Sequence, residues 1–335
     1  MSIKVLKPGL LTTIQDTGRY GYQKEGIIVS GSMDKVALRI ANLLVGNEQQ
    51  AAALEITLLG PSLYFEADHL IAITGADLSP GIDGEPVKLW RPILVKKGGT
   101  LSFRAPVLGC RAYVAVAGSF DVSKVMGSYA TYLRAGLGGF QGRALQTGDV
   151  ISCKGANEKT AAYIQELSAG IGQSNHKQAS WAPGAELYPA YEENPSIRAI
   201  KGPEYDLFTV SSQEYLWSEK FQVTTESDRM GYRLQSEQLS LTDSQELISS
   251  AVTFGTVQVP AEGQPIVLMA DHQTTGGYPR IAQVITADLP KLAQVQPGKH
   301  IRFEEVSLEK AQQLYIEQEQ KIEQLAWAIR TKINH

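Results

Sequence analysis

The sequence has little cysteine. Only Cys110 and Cys153 occur, far apart, with no CxxC and no Cys/His spacing. Each sits in an apolar or strand-like run, "LGCRAYVAVAG" and "DVISCKG", so both read as small buried core residues. Long hydrophobic runs are also missing. No stretch reaches the roughly 18 apolar residues of a membrane span, and the opening "MSIKVLKPGL" has no apolar signal region. A soluble, cytoplasmic protein is expected. Nor is there an excess of one charge: 31 Lys and Arg stand against 35 Asp and Glu, a formal charge of −4. That balance argues against a broad phosphate-binding face and leaves room only for a local basic pocket.

Several chemical signatures are absent as well. There is no GxxxxGK[ST] phosphate loop, no GxGxxG between a strand and a helix, no HExxH and no GxSxG elbow. The usual signs of P-loop nucleotide binding, dinucleotide binding and a covalent serine route are therefore lacking. Without clustered His and Cys, no metal site made by protein ligands is expected.

What is present is a punctuated, strand-rich chain. With 43% hydrophobic and 20% charged residues it is globular, and 335 residues suit two domains. The runs "HLIAITGADL" (69–78), "ILVKKGGTLSF" (93–103), "CRAYVAVAGSF" (110–120), "TVQVP" (256–260) and "PIVLM" (265–269) are β-branched or alternating. Punctuation by 31 glycines and 15 prolines favours barrels or sandwiches over a βαβ plan. The motifs "KKGGTLSF" (96–103), "LQTGDVISC" (145–153) and "VQPGKHIRF" (295–303) each place a glycine turn before an alternating strand, as equivalent units of related barrels would.

Two helices are predicted. In "SMDKVALRIANLLVGN" (32–47), Ser32 can cap, Asp34 suits the N-terminal dipole, and Gly46 or Asn47 can close the end; Val36, Ile40, Leu43 and Leu44 form the apolar stripe. The second spans 307–332, with Ala311, Leu314, Gln318, Ile322, Leu325 and Ile329 at near-heptad spacing. It reads as packing on the protein's own surface, a partner helix being the alternative. The polar stretch 155–198 reads as an excursion or linker, which divides the chain into domains 1–195 and 196–335.

The remaining signal lies in polar, glycine-containing loops. "QDTGRYGYQ" (15–23) offers Gln15, Asp16 and Arg19 for a carboxylate or phosphate, or else an Asp–Arg turn. "VSGSMD" (29–34) precedes the first helix and reads as simple helix capping or as an anion site that includes Asp34. Glu55 lies inside the apolar run "ALEITLLGP" (53–61), either paired in the core or poised for proton transfer. The glycine-rich "SYATYLRAGLGGFQGRAL" (128–145) suggests a flexible loop that closes. "ESDRMGYRL" (226–234) sets Asp228, Arg229 and Arg233 around a turn. "VQVPAEGQPIVLMADHQTTGGYPRIAQV" (257–284) supplies Gln258, Gln264, Asp271, His272, Gln273, Thr274, Thr275 and Tyr278, a density that suits a polar small ligand. By residue type, Asp271, Asp228 and, more weakly, His272 are the catalytic candidates. The others are candidates for binding substrate or nucleotide.

Taken together, "QDTGRYGYQ", "SGSMDKVALRIANLLVGN", "ALEITLLGP", "ITGAD", "YVAVAG", "GRALQTGD", "SDRMGYRL" and "VQVPAEGQPIVLMADHQTTGGYPRIAQVITADLPKLAQVQPG" resemble the allophanate hydrolase subunit 2 family. It is also called the biotin-dependent carboxyltransferase or KipI-antagonist family, and its bacterial members include the C component of 5-oxoprolinase. The resemblance runs from about residue 3 to about residue 303. It implies a mainly β fold of two cyclophilin-like β-barrel domains with a few peripheral helices. It implies two partners, a KipI-type protein (the B component of 5-oxoprolinase) and a LamB/YcsF-type protein (the A component), and inactivity without them. The implied reaction is the ATP-dependent opening of 5-oxo-L-proline to L-glutamate, with ATP and Mg²⁺ as cofactors. The alternatives are a regulatory KipI antagonist acting on a sporulation kinase inhibitor, and carboxyl transfer from carboxybiotin. The chain has no Met-Lys pair of the biotinylation type, so biotin would arrive on another protein. Two motifs depart from the family: "AGS" (117–119) replaces "AGG", and "GSYATY" (127–132) replaces "GSRSTY", which puts Tyr129 where a basic residue is usual.

Overall fold

The computed structural model describes residues 1–169, 171–172, 174–243 and 247–333. The chain divides into two compact units. One comprises Met1–Arg19, Asp34–Ala190 and Lys321–His335; the other comprises Tyr20–Met33 and Tyr191–Gln320. The main division thus falls at 190/191, beside the expected 195/196. Two segments, 20–33 and 321–335, group with the unit that is distant from them in sequence.

The first unit contains β1 (Ser2–Lys7), β2 (Leu11–Gln15), β3 (Ala53–Thr57), β4 (Ser62–Phe65), β5 (His69–Asp77), β6 (Gly81–Ile82), β7 (Glu85–Pro86), β8 (Pro92–Val95), β9 (Thr100–Ser102), β10 (Leu108–Val116), β11 (Val150–Ser152) and β12 (His176–Gln178). They form two six-stranded sheets, in the orders β11-β1-β4-β9-β6-β7 and β12-β8-β5-β10-β3-β2. Alternation explains the layering. Ile3 and Val5 of β1, with Leu63 and Phe65 of β4, face inward and meet Ile14, Leu54, Ile56, Ile73 and Val114 of the other sheet in one core.

On its other face the second sheet is covered by helix α1 (Lys35–Leu44), which packs on β5 and β10. Its predicted stripe of Val36, Ile40, Leu43 and Leu44 is buried. The cap differs from expectation: Asp34, not Ser32, is the N-cap, and its carboxylate accepts from the Ala37 amide at 2.9 Å. The carboxylate both reaches the free amide and opposes the dipole.

The 155–198 stretch is more structured than a linker. It contains α2 (Glu158–Ala169), which buries Thr160, Tyr163 and Leu167, and then β12, which adds to the sheet edge at β8. Trp181 Nε1 donates to the Tyr163 hydroxyl at 3.1 Å, and Tyr188 stacks on Trp90 at 4.2 Å. The spaced apolar contacts and an aromatic clasp outweigh the stretch's polar average.

The second unit carries β13 (Ser196–Lys201), β14 (Lys220–Val223), β15 (Gly231–Gln235), β16 (Ser250–Ala251), β17 (Thr256–Gln258), β18 (Ile266–Leu268), β19 (Thr275–Gly276), β20 (Arg280–Val284) and β21 (His300–Glu305). Seven of them close a barrel in the order β13-β20-β17-β18-β15-β14-β21, while β16 and β19 pair separately. The parallel β13–β21 pair completes the closure, which leaves the barrel strands without a free edge. Phe221 and Phe303 meet edge-on in its core. Helices α3 (Val210–Ser218) and α4 (Leu289–Ala293) belong to this unit. The mainly β architecture matches the expectation.

The three glycine turns are alike. Gly98, Gly148 and Gly298 adopt φ of 95°, 92° and 88° and lead into β9, β11 and β21. The last helix, α5 (Leu308–Ile333), buries Ile322, Leu325, Ala326, Ile329 and Ile333. Ala311, Leu314 and Gln318 are only half-buried, so the predicted stripe is realised in the second half of the helix. Among the described residues no helix is long and apolar enough to cross a membrane.

Candidate functional site

In the barrel unit, the turn before β15 and the end of β18 are zipped together. Met269 N donates to Met230 O, and Asp271 N donates to Arg229 O at 2.8 Å. This pairing sets the two side chains side by side. Arg229 forks onto Asp271, with Nε to Oδ2 and Nη2 to Oδ1 each at 2.9 Å. Two residues from far along the chain complete the cluster. Ser30 Oγ donates to Asp271 Oδ1 at 2.6 Å, and Gly31 O accepts from Arg229 Nη2 at 2.6 Å. Arg229 and Asp271 are only 5% and 6% exposed. A desolvated pair persists when its geometry is good and further hydrogen bonds satisfy its donors and acceptors, as they do here.

The loop after Asp271 supplies polar neighbours. His272 is buried and its Nδ1 contacts Gln273 O at 2.5 Å, so the ring is tied to the backbone. Gln258 is 1% exposed; its Nε2 donates to Tyr278 O at 3.4 Å, and its Oε1 accepts from Gln273 Nε2 at 3.5 Å. Thr275 lies in β19, Thr274 O accepts from Val252 N, and Tyr278 is half exposed. Arg229, Asp271, His272, Gln273, Gln258 and Tyr278 thus form one region, with Thr274 and Thr275 at its margin.

Three other predicted site residues of this unit make their contacts outside this cluster. The exposed Asp228 uses Oδ1 to accept from the amides of Met230 and Gly231 at 2.7 and 3.1 Å, closing its own turn. Arg233 points outward between the buried Tyr232 and Leu234, and the charge it meets is Glu226 at 3.9 Å, on the surface. Gln264 binds both backbone groups of Ser236, at 3.0 and 3.1 Å. Strand alternation and local turn chemistry explain all three.

In the first unit, β2, β3, β10 and β5 present a polar row at one register: Thr13 opposite Glu55, Glu55 opposite Tyr113, Tyr113 opposite Thr74. The row lies on the α1 side of the sheet. The Tyr113 hydroxyl donates to Glu55 Oε2 at 2.7 Å and accepts from Asp34 N at 2.8 Å; Thr74 Oγ1 donates to Ala37 O. Burial, then the charges of Glu55 and Asp34, hold the Tyr113 phenol well above its ordinary pKa.

Beside this row, Gln15 Nε2 donates to Thr13 Oγ1 and Thr131 O, at 3.0 and 3.1 Å. Its Oε1 is buried with no hydrogen-bond partner among the described residues. The expected Asp16–Arg19 turn pair does not form. Asp16 accepts from Gly18 N, Ser128 Oγ and Tyr129 N, while Arg19 donates to Val125 O and Ala130 O, each at 3.0 Å. Both residues therefore pin segment 125–131. The glycine-rich loop, expected to be a flexible element that closes, packs closely on its own backbone in this conformation. A Cβ at Gly138, Gly139 or Gly142 would fall 2.1, 1.9 or 1.9 Å from Ala130 O, Thr131 Oγ1 or Gly136 O. These glycines serve close packing. At Tyr129, where the resemblance led to the expectation of a basic residue, two lysines flank the ring: Lys124 and Lys154 place Nζ at 5.0 and 5.7 Å from its centroid.

Sequence reasoning missed Ser30, Gly31, Tyr113, Ser128 and Thr131 as contributors. Ser30 and Gly31 stand in the motif "VSGSMD" and Tyr113 in "YVAVAG", so the motifs held the signal without the partners. Cys110 and Cys153 are buried and form no disulfide, as core residues should, and burial pushes the Cys153 thiol up to about 12. Among the described residues no three His, Cys, Asp or Glu side chains cluster as a metal site would need.

Comparison with known proteins identifies the family. The family model for the carboxyltransferase domain, subdomain A and B, matches residues 25–305. The chain is 42% identical to the 5-oxoprolinase C subunit of Escherichia coli (strain K12), over 98% of each chain. It is 39% identical to the protein of the same name from Haemophilus influenzae, over 96% of this chain and 97% of that one. The solved K. lactis urea amidolyase superposes with a TM-score of 0.85 at 31% identity, covering 96% of this chain and 20% of that larger one. The chain belongs to the carboxyltransferase domain, subdomain A and B, family.

Proposed function

We propose that this chain is one component of an ATP-dependent 5-oxoprolinase, which opens 5-oxo-L-proline to L-glutamate. The observation that carries this reading is the near end-to-end similarity to the Escherichia coli 5-oxoprolinase C subunit. A KipI-type B component and a LamB/YcsF-type A component are its partners, and the chain is inactive without them. Opening an unactivated lactam requires its carbonyl carbon to be made more electrophilic, chemistry that ATP bound by the assembly would supply.

The site we assign is the barrel cluster around Arg229 and Asp271. An ionised carboxylate offers about four acceptor positions. Asp271 uses two on Oδ1, for Ser30 and Arg229, and one on Oδ2, for Arg229. One position on Oδ2 remains to orient an attacking water, a role worth roughly 10²–10⁴-fold for a well-placed base. Gln258, Gln273 and Tyr278 supply donors and acceptors for the lactam amide and carboxylate. The chain has no phosphate loop and, among its described residues, no preformed metal-ligand cluster. This donor set does not fit ATP and Mg²⁺ by itself, so we assign both to the partner proteins and derive no step through them.

The test is to co-express the chain with both partners and follow ATP-dependent loss of 5-oxoproline. Asp271→Ala and Arg229→Ala are expected to abolish turnover while the complex still assembles. Full activity in both variants would overturn the site assignment.

The family match favours one second reading, carboxyl transfer from carboxybiotin carried by another protein. Turnover that survives avidin counts against it. Partner binding without any turnover would instead support the regulatory KipI-antagonist role.

A further inference from the structure

Ser30 is held in a conformation that its side chain has to justify. It is a non-glycine residue at φ 55°, in the left-handed region, and it is 1% exposed. Glycine would satisfy that backbone without strain. What serine adds is one hydroxyl, placed 2.6 Å from Asp271 Oδ1 across 241 residues of sequence. The following residue, Gly31, uses its carbonyl to accept from Arg229 Nη2 at 2.6 Å. Two successive residues therefore grip both members of the ion pair, one by side chain and one by main chain.

The grip is directional. A lone Arg fork leaves a carboxylate free to exchange the roles of its two oxygens. Here Oδ1 takes the Ser30 proton and one arginine proton, and Oδ2 takes the Arg229 Nε proton. The hydroxyl breaks the symmetry of the fork and leaves Oδ2 as the oxygen with acceptor capacity to spare.

We infer that Ser30 is a positioning residue, whose hydroxyl locks the Asp271 carboxylate so that Oδ2 is the oxygen offered to the reacting group. The inference rests on the reading above, in which Asp271 touches the reacting atoms. It makes Ser30 the outer support of that carboxylate, and such supporting hydrogen bonds carry about 10–100-fold in activity elsewhere.

The experiment uses the full complex with its partners and compares Ser30→Gly, Ser30→Ala and Ser30→Cys with wild type. Ser30→Gly removes the hydroxyl and relaxes the backbone, Ser30→Ala removes the hydroxyl alone, and Ser30→Cys keeps a weak donor. The expected result is a kcat about tenfold or more lower in Gly and Ala, with Cys in between. The KM for 5-oxoproline should change by less than about threefold, and assembly and melting temperature should be kept in the Gly variant. Wild-type kcat in Ser30→Gly overturns the inference, as does a loss of kcat that follows loss of assembly. Asp271→Asn and Arg229→Lys run alongside. If these two retain wild-type turnover, the site assignment itself has failed; if they lose it while Ser30→Gly does not, only the role of Ser30 has failed.

Discussion

Two loops of similar composition, "QDTGR" and "SDRMG", put an aspartate, an arginine and a glycine within a few residues of each other, and the fold uses them in opposite ways. In the first unit, Asp16 and Arg19 do not pair. One carboxylate collects two amides and a hydroxyl, one guanidinium collects backbone carbonyls, and both hold segment 125–131. In the barrel unit the neighbouring Asp228 turns back on its own amides, and Arg229 instead reaches an aspartate 42 residues away. The difference is where the charge goes. Hydrogen bonds to backbone groups consume it in building structure, whereas a charge-charge pair with a spare acceptor leaves chemistry available.

That contrast can be broken, and the largest effect is expected at Arg229. Arg229→Ala strands the buried Asp271 carboxylate and should cost about 3–5 kcal/mol of barrel stability as well as activity. Thermal and chemical denaturation measure the first, and 5-oxoproline turnover the second. Asp16→Ala comes next. Losing three hydrogen bonds to a buried carboxylate should cost roughly 2–4 kcal/mol, with residual activity in proportion to the folded fraction. If Asp16→Ala keeps its stability but loses turnover, the loops do not differ as argued.

A pH scan sharpens the comparison within the first unit. Burial lowers the His69 pKa to about 4 from an ordinary 6.5, so its contribution to stability is complete above pH 6.5 and is lost as pH falls towards 4. His69→Gln should flatten the melting temperature in that window. An unchanged slope in the variant would assign the acid sensitivity to other groups. The smallest effect is expected at Arg233, whose partner Glu226 is exposed at 3.9 Å. Arg233→Ala should change stability by less than about 0.5 kcal/mol and leave turnover intact. A large loss of turnover would return it to the site.

Much of this was legible along the chain. The first helix, its buried stripe and the β-rich plan follow from local periodicity, which burial on one face enforces. The three glycine turns show in their spacing. Legibility failed where the role of a residue depended on a distant neighbour. Asp228 and Asp271 are both aspartates in glycine-containing loops, yet a short side chain next to free amides closes on itself. Gln264 and Gln258 have the same chemistry, but one meets the backbone of Ser236 just past a strand end and the other is buried beside Gln273.

The sequence by itself determined the alternation that makes strands, the apolar stripe of α1 and the motifs that mark the family, because each depends on residues close along the chain. Only the tertiary structure decided which polar groups converge. Ser30 meets Asp271 across 241 residues, and Ser128 meets Asp16 across 112. A buried charge has to find partners wherever the fold brings them, and those contacts leave no local pattern to read.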